Sequence, residues 1–218
     1  MSDDPAGGMG DDPVEHALAL LDWKRTIAEL YAEIRATPDR QAAWNRWQQT
    51  RARLFREHPQ SPVPPEQRPA YEGPHLYAYD PDWSLTATTE VVEPRRLNIA
   101  TSTDDTTAFR RFGRAHFTHA GSGEDMTLEL YWLEGYGGGL FVPFADATSG
   151  TETYGAGRYL LDTVKGADLG ARDGRLVLDF NFAYQPSCAY DPRWTCPLTP
   201  PANRLPVAVR AGERVAGT

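Results

Sequence analysis

Six prolines stand between His58 and Pro74, at Pro59, Pro62, Pro64, Pro65, Pro69 and Pro74. Each locks its own backbone φ and removes an amide donor, so neither a helix nor a strand ladder can run through the stretch. The chain is thereby cut into two parts that must fold by different rules. Before the prolines the apolar residues recur every three or four positions. After them the period is two.

The first part reads as two helices. Asp12 offers a side-chain acceptor, Pro13 takes the first helical position and Glu15 follows, which together form a start signal. Val14, Ala17, Leu18, Leu21, Ile27, Leu30, Tyr31 and Ile34 then lie along one helical face. Thr37, Pro38 and Asp39 repeat the signal, and Ala43, Trp44, Trp47, Leu54 and Phe55 predict a second helix running to about Glu57. Trp44 and Trp47 read as packing residues against the first helix or the main domain. A helix pair of this length cannot bury its own stripe, so it should cover the following domain or a second subunit, the second case being a homodimer through these helices. Residues 1–12, MSDDPAGGMGDD, read as a disordered acidic tail with neither the basic nor the apolar region of a signal peptide. The expected division is 1–12 tail, 13–57 helical pair, 58–74 connector and 75–214 β domain.

From Leu76 onward WSLTATTEVV, RRLNIATS, TTAFRRFGRAHFTH, MTLELYWLE, GLFVPF, GRYLLD, RLVLDFNFAY and PVAVRA are short β-type runs separated by Gly, Pro, Asp or Ser clusters. No helix long enough for a parallel crossover lies among them, so the strands should be antiparallel. The fold class is α+β, mainly β: an antiparallel β-barrel or a two-sheet sandwich, either of which limits exposed edges, with an N-terminal helical pair. Gly135, Gly137, Gly138 and Gly139 precede a strand, not a helix, and so make a hairpin turn and not a dinucleotide loop. GAGR at Gly155–Arg158 fails the same test.

With 30 Asp and Glu against 22 Lys and Arg, the chain has no basic stripe to follow a phosphate backbone, and nucleic acid is not an expected partner. Lys24 and Lys165 are its two lysines. No apolar run reaches the roughly 20 residues of a membrane span, so a soluble, cytoplasmic protein is expected. There Cys188 and Cys196 should be reduced, although their separation allows a disulfide if the loop between them doubles back. The sequence names no cofactor, and no metal-ligand set is present.

The chemistry concentrates in two blocks, FVPFADATSGTETYGAGRYLLD and DFNFAYQPSCAYDPRWTC, where polar and turn-forming residues interrupt what should be an apolar β core. In the second block alternation puts Leu176, Leu178, Phe180 and Phe182 on one face, and Val177, Asp179 and Asn181 on the other. Asp179 and Asn181 thus offer a carboxylate and an amide side by side. In the first block Glu152 and Tyr154 share a face and Arg158 follows, an acid, a phenol and a guanidinium suited to a polar or anionic small molecule. The two blocks should meet, with the 148–154 loop against segment 181–190 and Arg158 bonded to a partner there. Ser149 reads as a turn former before a nucleophile. Cys188 as a nucleophile would need His116 or His119 brought near as base, and no cysteine-hydrolase signature surrounds it.

These blocks resemble the signature of a bacterial and archaeal family of unknown function, numbered 1684. The family pattern falls on Phe144, Asp146, Thr148, Ser149, Gly150, Thr153, Tyr154, Gly157, Arg158 and Leu160, then on Asp179, Phe180, Asn181, Ala183, Tyr184, Pro186, Cys188 and Ala189, and finally on Cys196, Pro197, Asn203 and Leu205. FREHPQSPVPPEQR resembles the approach to the shorter members, so the likeness runs from about Arg51 to Glu213. This chain departs at Ala145, where members often carry a base, and at Gln185, where they often carry Asn. The family implies no established activity. With Tyr184 and Asp146 added by the pattern, the candidate ligand-binding set is Glu152, Tyr154, Arg158, Asp179, Asn181 and Tyr184, with Asp146, Ser149 and Cys188 beside it. Three readings follow: a domain binding a small polar or anionic ligand, a hydrolase using Asp179 or Glu152 as general base, or a polar network that serves only the fold.

Overall fold

The computed structural model describes residues 12–217. The expected acidic tail lies outside them apart from Asp12, which caps helix α1 (Pro13–Ala36) by accepting the Val14 amide at 2.8 Å. Helix α2 (Arg40–Glu57) opens in the same way, with Asp39 accepting the Ala42 amide at 3.0 Å. Only the second half of the α1 stripe is covered: Ile27, Leu30, Tyr31 and Ile34 are buried, whereas Val14, Leu18 and Leu21 stand exposed. On α2 the buried face is Ala43, Trp44, Trp47, Thr50, Arg51, Leu54 and Phe55. Trp47 meets Phe182 edge-on at 5.6 Å and donates its indole N–H to the Tyr31 hydroxyl at 3.2 Å. Trp44 donates to the Asn181 carbonyl at 3.0 Å. Helices and β domain therefore share one core.

The proline-rich connector keeps its shape through Arg68, whose guanidinium gathers the carbonyls of Val63, Ser61 and His58 at 2.9, 3.2 and 3.3 Å. Carbonyls stripped of ladder partners by proline find a donor this way.

Seven antiparallel strands follow: β1 (Ser84–Ala100), β2 (Thr106–Thr118), β3 (Asp125–Leu133), β4 (Leu140–Phe144), β5 (Arg158–Asp162), β6 (Ala171–Arg172) and β7 (Arg175–Asp179), in the order β5-β4-β3-β2-β1-β7-β6. The sheet is open, with β5 and β6 at its edges, and is not closed into the barrel that was one of the two expected forms. The long β1 belongs to two ladders: Ser84–Ala87 pairs with β7, and the remainder from Thr88 pairs with β2. The two expected strands, WSLTATTEVV and RRLNIATS, merge because both pair with β2 on either side of the Val91/Arg95 irregularity. Pro94 lies in the irregularity between Val91 and Arg95, beyond the reach of β7, where its missing amide breaks no ladder bond. The expected strand PVAVRA is irregular backbone. The expected alternation in DFNFAY also stops at Asp179, because Phe180–Phe182 form a 3₁₀ turn. As a result Leu178, Asp179, Phe180, Asn181 and Phe182 are all fully buried, instead of every second one.

Removing residues before His58 uncovers Phe182 and leaves the buried Glu213 carboxylate without its Arg51 partner. The truncated chain should aggregate or lose its cooperative thermal transition. A monodisperse truncated protein that melts at the full-length temperature would show that the helices contribute nothing to this core.

Candidate functional site

Arg158 opens β5 opposite Phe144, and its guanidinium lies 4.9 Å over the Phe144 ring. It is 1 % exposed. One terminal nitrogen donates to the Ala211 and Glu213 carbonyls at 2.5 and 3.1 Å, and the other to the Val209 carbonyl at 2.8 Å and Asp146 Oδ2 at 3.2 Å. Asp146 Oδ2 also accepts the Val209 amide at 2.6 Å, while Oδ1 accepts Thr148 Oγ1 at 2.7 Å and Ser149 Oγ at 3.2 Å. Burial draws the guanidinium below its ordinary range, and Asp146 opposes that shift. The two sequence blocks do meet, through reciprocal backbone bonds between Tyr159 and Tyr184. Arg158 is not bonded to segment 181–190 as expected, however; its partners are Asp146 and the irregular segment 209–213. Gly157 beside it allows a close approach by the protein itself: a Cβ there would sit 2.5 Å from the Phe144 carbonyl, on a backbone with φ +95°.

Asp179 and Asn181 come together as the alternation suggested, but as a cap. Asp179 Oδ1 accepts the Asn181 amide and side-chain N–H at 3.2 and 2.9 Å, while Oδ2 accepts Ser84 Oγ at 2.7 Å and Arg40 at 3.4 Å. Asn181 exchanges two bonds with the backbone of Asp80, accepting at 2.9 Å and donating at 2.8 Å. Glu152 forms a two-pronged pair with Arg210 at 2.7 and 2.9 Å and accepts the Tyr77 hydroxyl at 3.0 Å. The Arg210 bonds, with help from Tyr77, hold its carboxyl below the usual range against partial burial. Tyr154 donates to Cys188 Sγ at 3.6 Å. His116 pairs with Glu90, and His119 with Ser122 and the Trp83 ring, so the thiol's polar neighbours are Cys196, Tyr154 and Ser102.

An open cleft lies where the helices dock on the β domain. Trp23, Ile27, Phe55, Pro62, Ala167 and Pro186 give it apolar walls, and Tyr31, Arg51, Tyr159, Lys165, Tyr184, Gln185 and Ser187 supply polar groups. It encloses about 60 Å³ of water-accessible space, room for several waters. Arg51 is buried among the rings of Trp47, Phe55 and Tyr184, at 5.0, 4.6 and 5.0 Å. Its Nε donates to Glu213 Oε1 at 2.7 Å, and Nη2 lies 2.5 Å from the same oxygen in a buried ion pair. Burial would weaken its hold on the proton, but Glu213, Tyr190 and Tyr31 together outweigh it and push the guanidinium upward. Burial raises the Tyr31 phenol to about 12, keeping it a neutral donor. No carboxylate and no imidazole is among the described lining residues. Nor, among the described residues, do three His, Cys, Asp or Glu side chains group to hold a metal ion.

Of the residues picked from sequence, Tyr184 reaches this cleft, and so does Gln185, one of the two noted departures; Ala145, the other, is buried with its backbone bonded to Asn203 and Leu205. Arg51 and Lys165 were missed. Arg51 breaks the apolar face of α2, a charge where the period asks for a hydrophobe, and Lys165 is one of two lysines in the chain.

The family model for "Protein of unknown function (DUF1684)" matches residues 69–214. The chain belongs to this family. The match begins after the connector prolines Pro59 to Pro65, later than the expected start near Arg51, and includes the β side of the cleft. Among solved structures, the solution NMR structure of an uncharacterized protein of Haloarcula marismortui is similar, with 36% identity over 84% of this chain and 97% of that one, and a TM-score of 0.60. No match was found among curated proteins.

Arg158→Ala leaves Asp146 buried without its cation and strips three carbonyls of a donor, so it should cost on the order of 3 to 5 kcal/mol in urea unfolding. Arg158→Lys should fall between, since one ammonium cannot span four acceptors spread over two nitrogens. A loss for the alanine variant under about 1 kcal/mol, the range of exposed ion pairs, would contradict the architectural role.

Proposed function

We propose that this DUF1684 protein is a non-enzymatic binding domain that holds a small anion carrying an apolar ring in the cleft between the helices and β5. The observation that carries the reading is an open cleft in which the exposed Lys165 and the Tyr31 and Tyr184 rings stand beside Arg51, a buried guanidinium framed by aromatic rings and paired with Glu213. Aromatic walls would sandwich the ring, and the basic groups with the Tyr31 and Tyr184 hydroxyls would take the charge. In this reading Asp146, Ser149, Glu152, Arg158, Asp179 and Asn181 serve the fold, and Tyr184 serves the ligand.

A hydrolytic reading needs a base within hydrogen-bond reach of a cleft atom. Asp179 and Glu152 are instead occupied by Arg40, Ser84 and Asn181, and by Arg210 and Tyr77, and neither lines the cleft. A cytoplasmic setting, with both thiols reduced, goes with the binding role. No helix among the described residues is long and apolar enough to cross a membrane. Pairing of two chains through the exposed Val14, Leu18 and Leu21 face is the matching assembly, since these side chains otherwise stand in water.

Benzoate and phenyl phosphate are suitable probes. At a hundred times its dissociation constant, a probe that binds the cleft should stabilise the protein by about 2.7 kcal/mol, roughly 5 to 11 °C in melting temperature for a chain of this size. Lys165 is exposed, so Lys165→Ala should weaken binding and leave the melt without probe unchanged. If neither probe shifts the melt, or Lys165→Ala binds both as tightly as the native chain does, the cleft is not the anion site described.

A further inference from the structure

We propose that Cys188 and Cys196 form an oxidisable dithiol, which a two-electron oxidant of the hydrogen peroxide class converts to an intramolecular disulfide. The inference rests on the local geometry and is independent of the ligand reading. The chain doubles back between the two residues: Ser187–Ala189 form a 3₁₀ turn, and the Trp194 amide then bonds the Asp191 carbonyl. This brings the sulfurs together. The Cys188 amide donates to Cys196 Sγ at 3.4 Å, and the two thiols are hydrogen-bonded to each other. Both are free and buried, Cys188 at 9 % and Cys196 at 1 % exposure.

The two sulfurs are not equivalent. Cys188 faces three donors: the Cys196 thiol, the Tyr154 hydroxyl at 3.6 Å, and Ser102. These bonds outweigh burial and draw its thiol down to about 6, while the same contact and burial push Cys196 up. Cys188 is thus the attacking thiolate, made so by hydrogen bonds and not by a histidine base. It attacks one peroxide oxygen; the O–O bond breaks, a sulfur–oxygen bond forms, and the departing hydroxide takes up a proton to leave as water. Cys196 sulfur then attacks the sulfenic sulfur; the S–S bond forms, and the hydroxyl leaves as a second water with the Cys196 proton. Two thiols and one peroxide give one disulfide and two waters, with the sulfur pair oxidised by two electrons and the peroxide reduced by two.

The test uses reduced full-length protein and hydrogen peroxide. Thiol titration in denaturant should fall from two per chain to none, intact mass should drop by two hydrogens, and dithiothreitol should restore both. Cys196→Ser should trap a dimedone adduct on Cys188, and Cys188→Ser should keep its remaining thiol. Retention of both thiols in the native chain, a gain of oxygen without bond closure, or dimers on a non-reducing gel would overturn the proposal. Bond closure in the native chain without an adduct in Cys196→Ser would overturn Cys188 as the attacking sulfur.

Discussion

The segment Val209–Glu213 forms no strand and pairs only at its end, where Glu213 bridges Leu76, yet Val209, Ala211 and Glu213 are fully buried. Carbonyls buried outside a ladder need donors, or each costs a large part of a hydrogen bond. One arginine meets this demand, and a second fixes the segment from the opposite side. Arg158, from β5, serves the carbonyls of Val209, Ala211 and Glu213; Arg51, from α2, takes the Glu213 side chain. Much else depends on the segment these two groups fix. Glu213 in turn accepts the Gln185 amide and the Tyr190 hydroxyl at 2.7 and 3.0 Å, and its own amide bonds Ala183. At Gly212 a Cβ would come within 2.5 Å of the Ala183 carbonyl, so the segment lies close against the second block.

This arrangement makes the helices part of the β domain's polar interior and not a lid laid over it. The same Arg51 that pairs with Glu213 stacks among Trp47, Phe55 and Tyr184, rings from both sides of the junction. The cleft is the space left where that junction does not close. Its polar lining is therefore a by-product of docking, and any ligand there would read a surface that exists only when helices and β domain are joined. The dithiol lies beside it in the chain, since Ser187 lines the cleft and Cys188 follows.

The helices were legible because each start has a local chemical mark, an Asp acceptor before the first turn, and each stop is forced by proline. The strands were legible by period, and where the pattern failed the tertiary surroundings decided, by making a demand or by making none. Pro94 did not break β1 because no partner needed its amide there. PVAVRA alternates like a strand, but its backbone is recruited by Arg158 and Asp146. The polar residues of the two blocks were visible as inconsistencies in a β core, and the inconsistency was genuine, yet it marked the groups that satisfy irregular backbone. Arg51 escaped because a helical period lists hydrophobes and passes over the charge that sits among them.

An ion pair buried in a core is a weak argument for stability when apolar residues of the same shape could replace both partners. Arg158 is a different case. Most of its acceptors are backbone carbonyls, and no substitution removes a carbonyl. An apolar residue at position 158 would leave them all in place, dry and unpaired. Lysine offers a compact ammonium where the structure needs donors on two separate nitrogens, one facing Ala211 and Glu213 and the other Val209 and Asp146. Asp146 then has a second duty beyond balancing charge, because its Oδ2 also accepts the Val209 amide and so completes the pairing of that residue on both sides. An arginine with an aspartate twelve residues before it in sequence is thus what allows this chain to bury a strandless segment, and that is reason enough for both to lie in the block that most disturbs the β pattern.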